Sequence, residues 1–106
     1  MSEIVFCVYK PKSGCKNKLL SCIKLNVPTL QKLGFATDRK PIICQSKEGQ
    51  ILEIFEWKSE ASAKLAHSHP DVEAIWGKME KYAEFSSLAK VLEADQPFVH
   101  LKAIDT

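Results

Sequence analysis

The chain has 106 residues, 45% hydrophobic and 26% charged, with a formal net charge of +2. That is enough for one globular domain, residues 1–106, and hardly for two. No apolar run approaches the roughly 20 residues needed to cross a bilayer, and "MSEIVFCVYK" has neither a basic n-region nor a small-residue cleavage site. The expectation is a cytoplasmic protein with no membrane partner. The net charge is too small to argue for nucleic acid. Lysines do crowd the first third of the chain, but no arginine or interleaved aromatics accompany them there, so they read as a solvated helix face or a weak preference for an anionic ligand. Cys7, Cys15, Cys22 and Cys44 form no CxxC and no zinc-spaced cluster. They are expected to be free thiols used for packing, with no bound metal and no cofactor.

"EIVFCVYK" (Glu3 to Lys10) is rich in β-branched and aromatic residues and reads as a strand. Apolar groups at both parities mean that both of its faces are covered. "PKSGCKNKLLSCIKLNVPTLQKLGF" reads as a helix, with Ser13 as N-cap and Cys15, Leu19, Cys22, Ile23 and Val27 on one side. Pro28 predicts a break or restart near Asn26, which would cap the new turn, and Gly34 a stop. Pro41 to Ser46 and Gln50 to Trp57 form a hairpin around "KEG". Ser59 then caps a helix that Pro70 interrupts after His69. Asp71 starts its second part, and Val72, Ile75, Trp76, Met79, Tyr82 and Ala83 make an apolar stripe. "SSLAKVLEADQ" adds a short helical turn, and Pro97 to Ile104 reads as the last strand.

This order, β-α-β-β-α-β, is the ferredoxin-like pattern of the α+β class. It places the first strand between the third and the fourth in an antiparallel sheet, with two helices on one face. The other face would then expose an apolar patch larger than a monomer tolerates. Sheet-to-sheet pairing of two copies into an α/β barrel would cover it, so a homodimer is expected.

The arrangement resembles the dimeric α/β-barrel superfamily, which includes the antibiotic-biosynthesis-monooxygenase-like and stress-responsive barrel proteins. The likeness spans the chain as element order. It is most specific in "ILEIFEWKSEASAKLAHSHPDVEAIWGKM", with its aromatic strand end, its "WKSE" entry into the second helix and its mid-helix interruption. The resemblance implies a pocket between helices and sheet that holds an aromatic or hydrophobic small molecule. It implies in turn a cofactor-independent, monooxygenase-like enzyme, or else a non-catalytic ligand-binding or stress-related barrel protein. Heme-degrading relatives carry a proximal histidine on the second helix, but at the corresponding distance after Trp57 this sequence has Trp76. That departure disfavours heme. The first strand also lacks the asparagine expected for an Asn–Trp pairing of the monooxygenase type.

His67 and His69 are the candidate histidines of the interruption. At i and i+2 they lie about 200° apart on a helix and cannot chelate one metal. Either they cap a helix end, or one faces the pocket as a proton carrier or anchor. His67 is the candidate acid–base residue, and Tyr9, Trp76, Tyr82, His69 and His100 are the candidate ligand-binding residues. For the tryptophans and for His100 the competing reading is packing or plain exposure. Glu53 and Glu56 take opposite faces of one strand. Whichever is buried needs a partner, expected from a lysine, Arg39, a histidine or a second copy. GxGxxG, P-loop, GxSxG and HExxH motifs are absent.

Overall fold

The fold is that of a computed structural model, which describes residues 1–105. In chain order the elements are β1 (Glu3–Pro11), α1 (Lys16–Lys32), β2 (Ile42–Gln45), β3 (Ile51–Trp57), α2 (Glu60–Ala66), α3 (Pro70–Tyr82), β4 (Ala83–Ser86) and β5 (Lys102–Ala103). Two 3₁₀ turns, Leu88–Lys90 and Leu92–Asp95, precede β5. The strands form one antiparallel sheet in the order β4-β1-β3-β2-β5. An α+β architecture with this sheet and three helices is compatible with a ferredoxin-like fold.

Alternation along the strands sorts side chains into two layers. Val5, Cys7 and Tyr9 of β1, Ile43 of β2, and Ile51, Phe55 and Trp57 of β3 face the helices and pack with Leu19, Ile23, Val27 and Leu30 of α1, Ala66 of α2, and Val72 and Met79 of α3. The opposite layer holds Val8, Cys44 and Leu52, with Val91 packed on them.

Several elements depart from what the sequence predicts. The helix α1 runs unbroken through Pro28. A helix-interior proline costs about 3 kcal/mol, but burial of Val27 and Leu30 on either side of it returns about 1.5–3 kcal/mol each, and the proline ring itself is exposed. Asn26 therefore caps nothing and is buried inside the helix. The N-cap position is Cys15, without a side-chain hydrogen bond, rather than Ser13. Gly34 does follow the helix end with φ 82°, a value that favours glycine.

Helix α3 ends at Tyr82, and Ala83 opens β4, which pairs with β1 from Val8↔Ser86 to Pro11↔Ala83. Helical spacing hid this boundary because Ala83 turns inward in either conformation. With that slot beside β1 filled, the expected final strand Pro97 to Ile104 shrinks to Lys102–Ala103 and joins the outer edge of β2. The connection between β4 and β5 crosses the helix-free face, so a second copy is not needed to cover Val8, Cys44 and Leu52. Ile4, Phe6 and Ile42 on that face remain exposed.

The hairpin and the interrupted second helix form where the sequence places them. The Ser59 side chain accepts a hydrogen bond from the Ser62 N–H. His69 is extended at φ −85°, ψ 126°, and Pro70 occupies the first turn of α3. No helix among the described residues is long and apolar enough to cross a membrane.

Val91 is the plug that holds the connecting segment to the sheet. Val91→Asp is expected to release residues 87–101. Amide exchange should rise in that segment while protection in α1 and β3 stays near the wild-type level; unchanged exchange there would contradict this role.

Candidate functional site

Strand β1 pairs with β4 only from Val8 onward. Toward its N-terminus, that edge of β1 has no neighbouring strand. Beside this gap lies a cavity of about 330 Å³ between sheet and helices. Val5, Cys7, Tyr9, Phe55 and Trp57 form its sheet side; Asn26, Ala63, His67, Trp76 and Met79 form its helix side; Phe6, Phe85 and Ser86 stand at the edge. The break between α2 and α3 leaves His67 at the C-cap of α2. From there its ring meets Trp76 edge to face at 4.8 Å. Trp76 in turn meets Trp57 at 6.5 Å, and Trp57 meets Phe55 at 4.9 Å. The wall is thus a run of T-shaped aromatic contacts, the geometry that ring quadrupoles favour.

A buried polar chain links the wall to the core of the sheet. The Trp76 Nε1–H donates to Asn26 Oδ1 at 2.9 Å. With its oxygen engaged there, Asn26 turns Nδ2 toward Glu53 and donates to Oε1 at 3.2 Å and Oε2 at 3.1 Å. The Tyr9 hydroxyl donates to Glu53 Oε1 at 2.8 Å. Glu53 is completely buried, and among the described residues no lysine, arginine or histidine forms an ion pair with it. Arg39 bonds Glu56 instead, at 3.0 Å, on the other side of the strand.

Burial in a low-dielectric layer disfavours the charged form of an acid. For Glu53 this outweighs the opposing hydrogen bonds from Tyr9 and Asn26, and its pKa is pushed up to about 7. Burial, and next the Glu53 charge, push the Cys7 thiol up to about 12. The Tyr9 hydroxyl is raised by the same two causes in the same order. Glu56 goes the opposite way: hydrogen bonds from Thr37, Arg39 and Ser2 hold it below the usual carboxylate range.

Of the candidate residues, Tyr9, His67 and Trp76 meet around the cavity. The other three lie apart from it. His69 is the N-cap of α3, its Nδ1 accepting from the Asp71 N–H at 3.2 Å, with its ring against Phe35 at 5.9 Å. Tyr82 packs at the edge of the core beneath Lys18 Nζ, 5.7 Å from the ring centre. His100 lines a separate depression with Lys16, Gln45, Lys47 and Lys102. Asn26 is the site residue that sequence reasoning missed. Its signal was a polar residue within the buried stripe Cys22, Ile23, Asn26, Val27, Leu30. The same residue supplies an Asn–Trp pair, from a helix rather than from the first strand.

Compared with known proteins, the chain matches no protein-family model, no curated sequence and no solved structure.

The raised Glu53 pKa has a definite sign in stability. Between the ordinary value of 4.5 and about 7 the folded state holds a proton that the unfolded state has released. Stability from this group therefore falls as pH rises through that window and is level outside it. Its size is on the order of 3 kcal/mol. Thermal melts of wild type and Glu53→Gln across the window should show wild type losing stability relative to the variant as pH rises; parallel curves would rule out the shift.

Proposed function

We propose that the cavity receives a compact aromatic or hydrophobic small molecule, and that the chain acts as a homodimeric dimeric-α/β-barrel protein of the cofactor-independent, monooxygenase-like kind. The observation that carries the ligand reading is the cavity itself. Its volume of about 330 Å³ sits at the lower end of the range typical of small-molecule sites, which suits a ligand of one or two rings. Its walls are largely aromatic, with a few polar groups, including Tyr9, Asn26 and His67, among the lining residues, the make-up of a small-molecule site. His67, exposed at the rim and edge to face with Trp76, is the group proposed to anchor the ligand or exchange a proton with it.

The strand order and the helices confined to one face support the superfamily. The exposed Ile4, Phe6 and Ile42 on the helix-free face support pairing of two copies there, around the segment that carries Val91.

Both tryptophans of the chain line the cavity, so intrinsic fluorescence reports directly on its occupant. Titration with naphthalene is expected to quench wild-type emission saturably. Ala63→Phe, which fills the cavity from α2, should abolish the quench, and His67→Ala should weaken binding of 1-naphthol by about tenfold, the equivalent of one good polar contact. Equal binding by wild type and Ala63→Phe would remove this cavity as the site.

For the dimer, sedimentation of wild type is expected to give twice the 11.9 kDa chain mass, and Ile42→Lys to shift it to the monomer. A monomeric wild type at micromolar concentration would overturn the pairing.

A further inference from the structure

We propose that Tyr9 and Glu53 form a proton relay that takes the proton from a weakly acidic hydroxyl, a phenol or an enol, on the molecule held in the cavity. This rests on the cavity being a ligand site.

The inference comes from the direction of the hydrogen bonds. Trp76 donates to Asn26, Asn26 donates to Glu53, and Tyr9 donates to Glu53. Every donor in the chain points toward one carboxyl group, and nothing in it points back. Were the group needed only to fill space, an apolar side chain of similar volume would do so without the desolvation cost of a buried carboxylate. The other titratable groups facing Glu53 are Cys7 and Tyr9 of β1, both held protonated. From α1 and β2 its neighbours are the neutral Asn26 and Ile43. Glu53 is thus the base of the network.

Glu53 does not itself line the cavity, whereas Tyr9 does. With its own proton directed at Glu53, Tyr9 has only oxygen lone pairs to offer a ligand, so it serves the ligand as an acceptor. A ligand hydroxyl donating to that oxygen completes the path. In the transfer, the ligand O–H bond breaks as a new Tyr9 O–H bond forms. The original Tyr9 O–H bond breaks as Glu53 Oε1 gains a proton. The electron pair stays on the ligand oxygen, nothing is oxidised or reduced, and the net charge of the complex is unchanged. The new Tyr9 O–H then donates a hydrogen bond to the ligand oxyanion and stabilises it. Asn26 positions the carboxyl group, and Trp76 fixes which way Asn26 faces. The raised affinity of Glu53 for a proton, about 7 against the ordinary 4.5, brings it closer to an acidic phenol, as an effective base requires.

The test uses two probes of similar shape, 3-nitrophenol and nitrobenzene, at a pH between the Glu53 midpoint of about 7 and the higher pKa of 3-nitrophenol, where Glu53 is mostly ionised and the free phenol is mostly protonated. Wild type is expected to bind both and to show the long-wavelength phenolate band of 3-nitrophenol in the bound state. An infrared difference spectrum should show a protonated carboxyl band gained at the same time. In Tyr9→Phe and Glu53→Gln the phenolate band per molecule of bound 3-nitrophenol should fall at least tenfold, whatever the change in affinity for nitrobenzene. Binding of 3-nitrophenol to wild type in its neutral form, or a phenolate band unchanged in Tyr9→Phe, would overturn the relay and leave the cavity standing. Binding of neither probe would overturn the cavity reading and the relay together. If Glu53→Gln does not fold, Tyr9→Phe and the infrared band decide the matter.

Discussion

A carboxyl group sealed beneath the helices, with three neutral donor contacts and, among the described residues, no cation paired to it, sets the terms for the centre of this fold. Charge in such a place is costly unless it is hydrogen-bonded, and the three contacts come from two elements far apart in sequence. Tyr9 is on β1, paired through Cys7↔Glu53 register to β3. Asn26 is on α1, 27 residues before Glu53 in the chain. The carboxyl group therefore fixes how α1 sits on the sheet, because a shift of α1 would carry Asn26 away from Glu53. It fixes α3 as well, because Asn26 Oδ1 is the acceptor for Trp76. Apolar packing on the two sides of this chain supplies most of the driving force. The polar chain selects one arrangement among those that apolar packing alone would allow, the role best attested for buried polar groups.

The same constraint explains why a cavity survives in so small a domain. Sheet and helices are held apart by an aromatic wall whose rings meet edge to face rather than interleaving. The interruption between α2 and α3 turns the chain there, so that Ala63, a small residue, borders the space while Trp76 spans it. The open edge of β1 ahead of Val8 leaves a way in. On the opposite face the chain covers itself with the segment carrying Val91, and only the margin of that face stays apolar and bare. Site and proposed interface thus occupy opposite layers of one sheet, meeting at the free edge of β1 around Phe6.

Much of this was legible in the sequence. β-Branched and aromatic residues placed β1, and turn residues placed the hairpin. The Ser59 cap placed the start of α2 and Pro70 the restart at α3, because a capping hydroxyl and the steric demand of proline act locally. The misreadings came where tertiary contacts outweighed local rules. Pro28 should break a helix, yet flanking burial keeps it whole. Ala83 continues a helical stripe, yet the vacant edge of β1 takes it as a strand. The need for a partner on Glu53 or Glu56 could be read from strand parity, but the identity of that partner could not. Asn26 looked like a cap because Pro28 follows two residues later, and only the unbroken helix turns it inward. His67, Tyr9 and Trp76 border one cavity, while His69 is occupied by its own helix end.

The account turns on the proton affinity of one side chain, and that can be measured directly. With glutamate side chains labelled, the Glu53 carboxyl carbon can be followed by NMR against pH in the folded protein and assigned through Glu53→Gln. The account predicts a midpoint near 7. A midpoint at the ordinary value of 4.5 would mean that Glu53 is solvated or paired with a cation, and would contradict both the buried network and the relay built on it.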